Sequence, residues 1–234
     1  MTQQPHGTPW VFRQRKYLPV PLVILGLCDV LWNGHPWPRG TPVRRLTDLA
    51  AVLLIVAGES MLIWGVGYIG RKSRSSDIHA ARLITSGPYA HTRNPLYFGG
   101  FLLTLGLSAL SGSVAIVLGC VLYWIIVYGP IIRAEERFLW RAFGRRYAAY
   151  CRAIPRWWPR LRPGPGAKRA TWRWQELSKE YQTGAAILAT ALLMYASLFV
   201  ADWFSHRRQG SRHDPIPPAG QSVRATRLAN WMGH

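Results

Sequence analysis

The chain is short of acid, short of cysteine and, over long stretches, short of any charge at all. Of 234 residues only 10 are Asp or Glu and only three are Cys. Cys28, Cys120 and Cys151 have neither a disulfide framework's number nor a metal knuckle's spacing. The seven His are scattered, and no local His/Cys/Asp/Glu group has the spacing of a zinc site, so no metal is expected. Charged residues make up 17%, well under the roughly 25% of soluble domains. No internal repeat is present.

The missing charge is missing in blocks. Leu49–Ile69 holds one charge, Leu96–Ile132 none and Gly184–Ala201 none. Each is about as long as, or longer than, the ~20 residues a helix needs to cross a bilayer. A shorter candidate, Leu18–Trp32, contains Pro19, Pro21 and Asp29. Arg13, Arg15 and Lys16 precede it, but no small-residue cleavage site follows before Trp32 and Asn33, so a retained helix is expected.

What is abundant is positive charge, a net +19. All 29 basic residues lie outside the long apolar spans, which suits anionic headgroups at a membrane surface better than nucleic acid. Arg greatly outnumbers Lys, as in GC-rich bacterial genomes, so a bacterial plasma membrane is the expected location.

Ser111, Gly112 and Ser113 interrupt the longest apolar run near its middle. A helical hairpin is expected, with arms Pro95–Leu110 and Val114–Ile132. Residues 71–95 carry five Lys or Arg and residues 133–182 carry thirteen, whereas the tip carries none. Positive loops stay inside, so both open ends of the hairpin should face the cytosol. Ala115 and Gly119, four apart, would allow close approach of a neighbouring helix. Beyond the hairpin, Leu139, Phe143, Tyr147, Cys151 and Ile154 recur at helical spacing among arginines, predicting a basic amphipathic helix at the interface.

The expected fold is therefore all-α, a multi-span transmembrane protein of about five spans with a helical hairpin and a cytosolic amphipathic helix. Residues 1–80 would form N-terminal transmembrane helices and 81–161 the core. A linker (162–182), an additional C-terminal helix (183–204) and a disordered tail (205–234) would follow.

Two polar elements flank the hairpin: the loop SGPYAHTRNPLYFGG, residues 86–100, and the pair Glu135-Glu136. A hairpin returns its ends to neighbouring positions, so loop and acids should converge. Irregular backbone beside an apolar span needs hydrogen bonds that lipid does not supply. An Arg, two Tyr, freed backbone and carboxylates suit a ligand bearing both signs: Arg for a carboxylate or phosphate, Glu for an ammonium, aromatic faces for a cation. Glu59, deep in Leu49–Ile69, either lines an acceptor pocket or pairs with a neighbouring helix. Gly99 and Gly100 serve either packing or ligand approach.

The runs Leu83-Ile84-Thr85-Ser86-Gly87-Pro88-Tyr89, Arg93-Asn94-Pro95-Leu96-Tyr97-x-Gly99, Glu135-Glu136, Phe143-Gly144-x-x-Tyr147-x-x-Tyr150 and Ile154-Pro155-Arg156 occur in this order. This pattern resembles the isoprenylcysteine carboxyl methyltransferase family and the related phospholipid N-methyltransferases, over roughly residues 81–161. The resemblance implies S-adenosyl-L-methionine as cofactor. It implies that Ala81, Arg82, Leu83, Ile84, Tyr89, Asn94, Pro95, Leu96, Tyr97 and Glu135 bind it, with Arg93 available to its carboxylate. Arg93, Glu135, Glu136 and Arg156 are the residues expected to carry the reaction, Arg156 by gripping an acidic headgroup. Methyl transfer from a sulfonium is a direct displacement, so alignment dominates, and Glu135, Glu136 or bulk water could take an acceptor proton. The expected partners are membrane lipids and a lipid or small hydrophobic acceptor.

Two positions depart from the pattern. Asn94 stands where the family commonly has His, and it still offers a donor and an acceptor. Ile131 stands where the eukaryotic prenylcysteine enzymes have a substrate-binding Arg, which argues against prenylcysteine as acceptor. Two other classes remain open. One is a membrane sterol-type reductase using a nicotinamide cofactor, against which Ala134-Glu135-Glu136 stands in place of an Arg-Asp element. The other is a non-catalytic basic membrane anchor, which leaves the ordered motifs unexplained.

Overall fold

The computed structural model describes Leu18, residues 20–38, 40–69 and 83–164, Trp172 and Ala196. Within them the fold is all-helical, with no strand. The expected C-terminal helix and tail, the linker beyond residue 164 and the N-terminal basic run lie outside the described residues, single positions apart.

Five α-helices follow in order. These are α1 (Val20–Asn33), α2 (Pro42–Ile69), α3 (Pro95–Ala109), α4 (Val114–Phe143) and α5 (Arg145–Ala153). Only α2 and α4 are long and apolar enough to cross a membrane. At 1.5 Å per residue they reach about 42 and 45 Å, whereas α1 and α3 reach only about 21 and 22 Å, short of a 30 Å hydrocarbon core. Against the expected count of about five spans, the described residues hold two full-length helices and two shorter apolar ones. Large apolar side chains remain exposed on α2 (Leu46, Leu49, Leu53, Val56) and on α4 (Val114, Leu118, Leu122, Ile125, Ile126). Contiguous apolar surface of this kind suits contact with lipid.

α2 and α3 pack along their whole shared length, and glycine makes this possible. A Cβ on Gly58 would stand 2.6 Å from Leu103 N and 2.7 Å from Gly99 O; one on Gly106 would stand 2.7 Å from Ala51 O. Ala51 pairs with Gly106 and Gly58 with Gly99, so the register runs backwards on one helix as it advances on the other. The two helices are antiparallel with their backbones nearly touching, as small residues permit. Among the described residues nothing makes the close approach expected at Ala115 and Gly119: Ala115 is exposed and no described atom lies within 4 Å of a Cβ on Gly119. Gly99 therefore serves packing.

The hairpin turns at Leu110–Ser113, with Gly112 at φ +69. Its second arm does not stop at Ile132 but runs on to Phe143, because no helix breaker intervenes before Gly144, at φ +49. Pro130 lies inside this helix, where its missing N–H and its ring would break the regular ladder. The chain widens just before it into a π-helical turn, Trp124–Tyr128, and Pro130 opens the α-helical segment that follows. Trp124 stacks on Tyr128 with ring centroids 3.8 Å apart, and its indole N–H donates to Thr104 Oγ1 of α3 at 2.7 Å. Tyr123 donates to the carbonyl of Leu18, tying the start of α1 to α4.

The basic helix α5 also differs from expectation. It is separated from α4 by Gly144, and its apolar side meets protein: Tyr147, Tyr150 and Ile154 are buried against Leu83, Leu139 and Phe143.

Candidate functional site

The loop before α3 takes its shape from its own residues. Gly87 has φ +58, in the left-handed region that favours glycine, and a Cβ there would strike the ring of Tyr68. Pro88 opens a short 3-10 turn, Gly87–Ala90, and Pro95 opens α3 directly after Asn94. In both places proline supplies a preset φ where no helical N–H is needed. Pro88 and Pro95 are fully buried.

A strap formed by residues 154–164 closes over this loop through backbone. Arg93 N–H donates to Pro155 O at 2.9 Å, Arg160 N–H to His91 O at 3.0 Å and Gly164 N–H to Ala90 O at 2.9 Å. Thr92, fully buried, donates its hydroxyl toward the carbonyls of Arg156 and Trp157. His91 Nδ1 lies 2.6 Å from Arg160 O, which fixes the proton on Nδ1, and the imidazole ring rests against Trp64 of α2. The Tyr150 hydroxyl of α5 donates to Tyr89 O at 2.7 Å. Burial pushes the Tyr147 and Tyr150 hydroxyls far above their ordinary range, so both stay protonated donors.

Loop, strap and α4 meet at Glu136, which is buried. Its Oε2 accepts from Arg156 Nη2 at 2.6 Å, while Oε1 lies 3.4 Å from Arg93 Nε and 3.4 Å from Asn94 Nδ2. The amide of Asn94 also donates to Arg156 O at 3.1 Å. The hydrogen bond that Arg156 donates to Glu136 holds its guanidinium above its already high range. Glu136 thus accepts one hydrogen bond on each oxygen, from Asn94 and Arg156, while Arg93, whose buried Nε has no hydrogen-bond partner among the described residues, adds its charge beside Oε1. One turn of helix away, Tyr97 donates its hydroxyl to Glu135 Oε2 at 2.7 Å. Glu135 is only half-buried, and its Oε1 and the Nη atoms of Arg93 have no hydrogen-bond partner among the described residues.

The residues singled out from sequence thus fall into three groups. Arg93, Asn94, Tyr97, Glu135, Glu136 and Arg156 come together in one network. Leu83, Tyr89, Pro95 and Leu96 are apolar supports: Leu83 packs on the α5 tyrosines, and Leu96 occupies the space left by Gly65 of α2. Ile84 is half-buried beside Leu83. Ala81 and Arg82 lie outside the described residues. Sequence reasoning missed Thr92 and Arg160, which act on backbone carbonyls that any residue carries, and Thr104, whose partner Trp124 is fixed by packing.

Comparison with known proteins fits this assembly. The chain is 35% identical over 141 residues to the cobalt-zinc-cadmium resistance protein CzcN of Cupriavidus metallidurans, covering 60% of this chain and 61% of that protein. It is equally similar, 35% over 141 residues, to the nickel-cobalt-cadmium resistance protein NccN of Alcaligenes xylosoxydans xylosoxydans, covering 60% and 62%. The chain therefore spans a little over three fifths of the length of these curated relatives. No solved structure matches it. Residues 46–146, from the start of α2 into α5, match the phospholipid methyltransferase family, the kind of membrane methyltransferase that the ordered motifs resemble.

Proposed function

We propose that this protein is an integral membrane methyltransferase that uses S-adenosyl-L-methionine and methylates a lipid or small hydrophobic acceptor. The observation that carries the reading is the meeting of the Arg93–Asn94–Tyr97 turn with Glu135 and Glu136 around one point, within the segment that matches the phospholipid methyltransferase family.

The donor set fits the zwitterionic methionine end of the cofactor. The Nη atoms of Arg93 suit its carboxylate and Glu135 Oε1 suits its ammonium, both by charge-assisted hydrogen bonds. When bound, the cofactor would supply an electrophilic methyl group on a sulfonium. Glu136 does not serve as base in this scheme, because both of its oxygens are engaged by Arg93, Asn94 and Arg156. It positions the two arginines. Tyr97 positions Glu135 in the same way. Leu83, Ile84, Tyr89, Pro95 and Leu96 form the apolar bed beneath; Ala81 and Arg82, outside the described residues, are proposed as cofactor contacts on the resemblance alone. We place the site at the cytosolic face of a bacterial plasma membrane, following the basic residues of the loops on either side of the hairpin.

Cofactor binding to the detergent-purified protein tests the reading. S-adenosyl-L-methionine should bind with a Kd in the micromolar range, about −8 kcal/mol, and reduced nicotinamide dinucleotides should not bind measurably. Glu135→Gln should weaken the interaction. Preference for the nicotinamide would replace this reading with the reductase.

A further inference from the structure

Glu59 takes no part in the network around Glu136. It lies ten residues before the end of α2, about 15 Å along the helix axis, as the sole charge of Leu49–Ile69. Its Oε2 is buried and has no hydrogen-bond partner among the described residues. A carboxylate at such depth is costly and faces a partner or a cavity. No ion pair holds Glu59 among the described residues.

The α2–α3 seam fixes the direction in which Glu59 looks. Gly58 and Gly99 meet across the antiparallel seam. Because both helices are right-handed and run in opposite directions, one step past the seam turns each chain to the same flank. Glu59, after Gly58, therefore shares a flank with Gly100, after Gly99. Gly100 keeps partial exposure, and the wall opposite it is Trp124 of α4, 3.2 Å from where a Cβ would be. Trp124 stacks on Tyr128, and Tyr128 meets Tyr97 edge-on at 5.9 Å. From Tyr97 the path reaches Glu135. The unpaired carboxylate thus sits on an apolar and aromatic flank that leads to the candidate cofactor site.

We propose that Glu59 binds the head group of the methyl acceptor on this flank, an assignment that rests on the methyl-transfer reading. A carboxylate with no cation beside it accepts a hydrogen bond from a head that is neutral or cationic and repels an anionic one. The neighbouring aromatic faces add to the preference for positive charge. The acceptor class is an amphiphile with an apolar chain and an N–H or O–H donor head, and carboxylate-headed lipids are excluded.

Hydrophobic carbodiimide labelling of the full-length protein in detergent tests the assignment without turnover. Dicyclohexylcarbodiimide should modify Glu59, located by peptide mass spectrometry. N,N-Dimethyldodecylamine, a tertiary amine that cannot form an amide with the activated carboxyl, should slow that labelling about tenfold at saturating concentration, and dodecanesulfonate, which carries no carboxyl, should leave it unchanged. Absence of label at Glu59, or protection that does not distinguish the two probes, overturns the proposal. Glu59→Gln should weaken binding of the same amine, followed by tryptophan fluorescence, about tenfold while leaving cofactor affinity within about twofold. An equal loss of both affinities would mark a purely structural residue. Should the variant fail to fold, labelling of the unaltered chain still decides. Failure of the methyl-transfer reading is separately visible, as absent cofactor binding with the amine protection intact.

Discussion

Tyr97 and Glu135, 38 positions apart, are joined by a 2.7 Å hydrogen bond from phenol to carboxylate, linking the first turn of α3 to α4. The bond leaves one carboxylate oxygen available and fixes its direction. Tyr97→Phe should keep the ring packing against Tyr128 and remove only the hydroxyl. Hydrogen bonds to charged groups contribute about 1.5–3 kcal/mol, so cofactor affinity should fall roughly tenfold or more. Titration of purified variant and parent with labelled S-adenosyl-L-methionine checks this; unchanged affinity would remove Tyr97 from the site.

Glu136→Gln should be more damaging. It leaves Arg93, 13% exposed at its side chain, without its counter-charge, whereas Arg156, at 44%, can turn to water. Removing one partner of a buried pair costs about 3–5 kcal/mol, and the exposure of Arg156 puts this case at the lower end. Thermal unfolding in detergent should show a clear drop in Tm together with loss of cofactor binding. Arg156→Lys should retain more stability than Glu136→Gln, since a cation remains.

Much of this site was legible before the fold was known, for a simple reason. A long uncharged run broken at Ser111–Ser113 must fold back, so whatever polar residues flank it must meet. The identity of the contacts was less accessible. That Glu136 rather than Glu135 takes both arginines depends on which face of α4 turns inward, and a π-helical turn ahead of Pro130 shifts that face. The strap was hidden because its bonds run to carbonyls. The Gly58–Gly99 contact was hidden because a glycine declares its partner only once the helix register is known.

Substitution at Gly58 tests that register. Gly58→Leu would place a side chain where even a Cβ comes within 2.6 Å of Leu103 N, which neither backbone can yield. Overpacking of this kind costs about 1–3 kcal/mol or more. The same change at Gly119, which has no neighbour within 4 Å of its Cβ position among the described residues, should be nearly neutral. Unfolding curves of the two variants in one detergent provide the comparison.

Thr104→Val should isolate the link between α3 and α4. The valine keeps the shape but leaves the buried Trp124 N–H without its acceptor, at a cost of about 1–3 kcal/mol. The expected signature is a lowered Tm with a changed tryptophan fluorescence spectrum. Thr104→Ser, which restores an oxygen, should recover most of the loss.

The strap from Ile154 to Gly164 has a consequence for how the protein is made. Its carbonyls and Arg156 supply the last bonds to Thr92, Asn94 and Glu136. In chain order the strap follows α2, α3 and α4, so synthesis delivers it after the helices it braces. The network around Glu136 is therefore completed by the latest-made of the stretches that it joins.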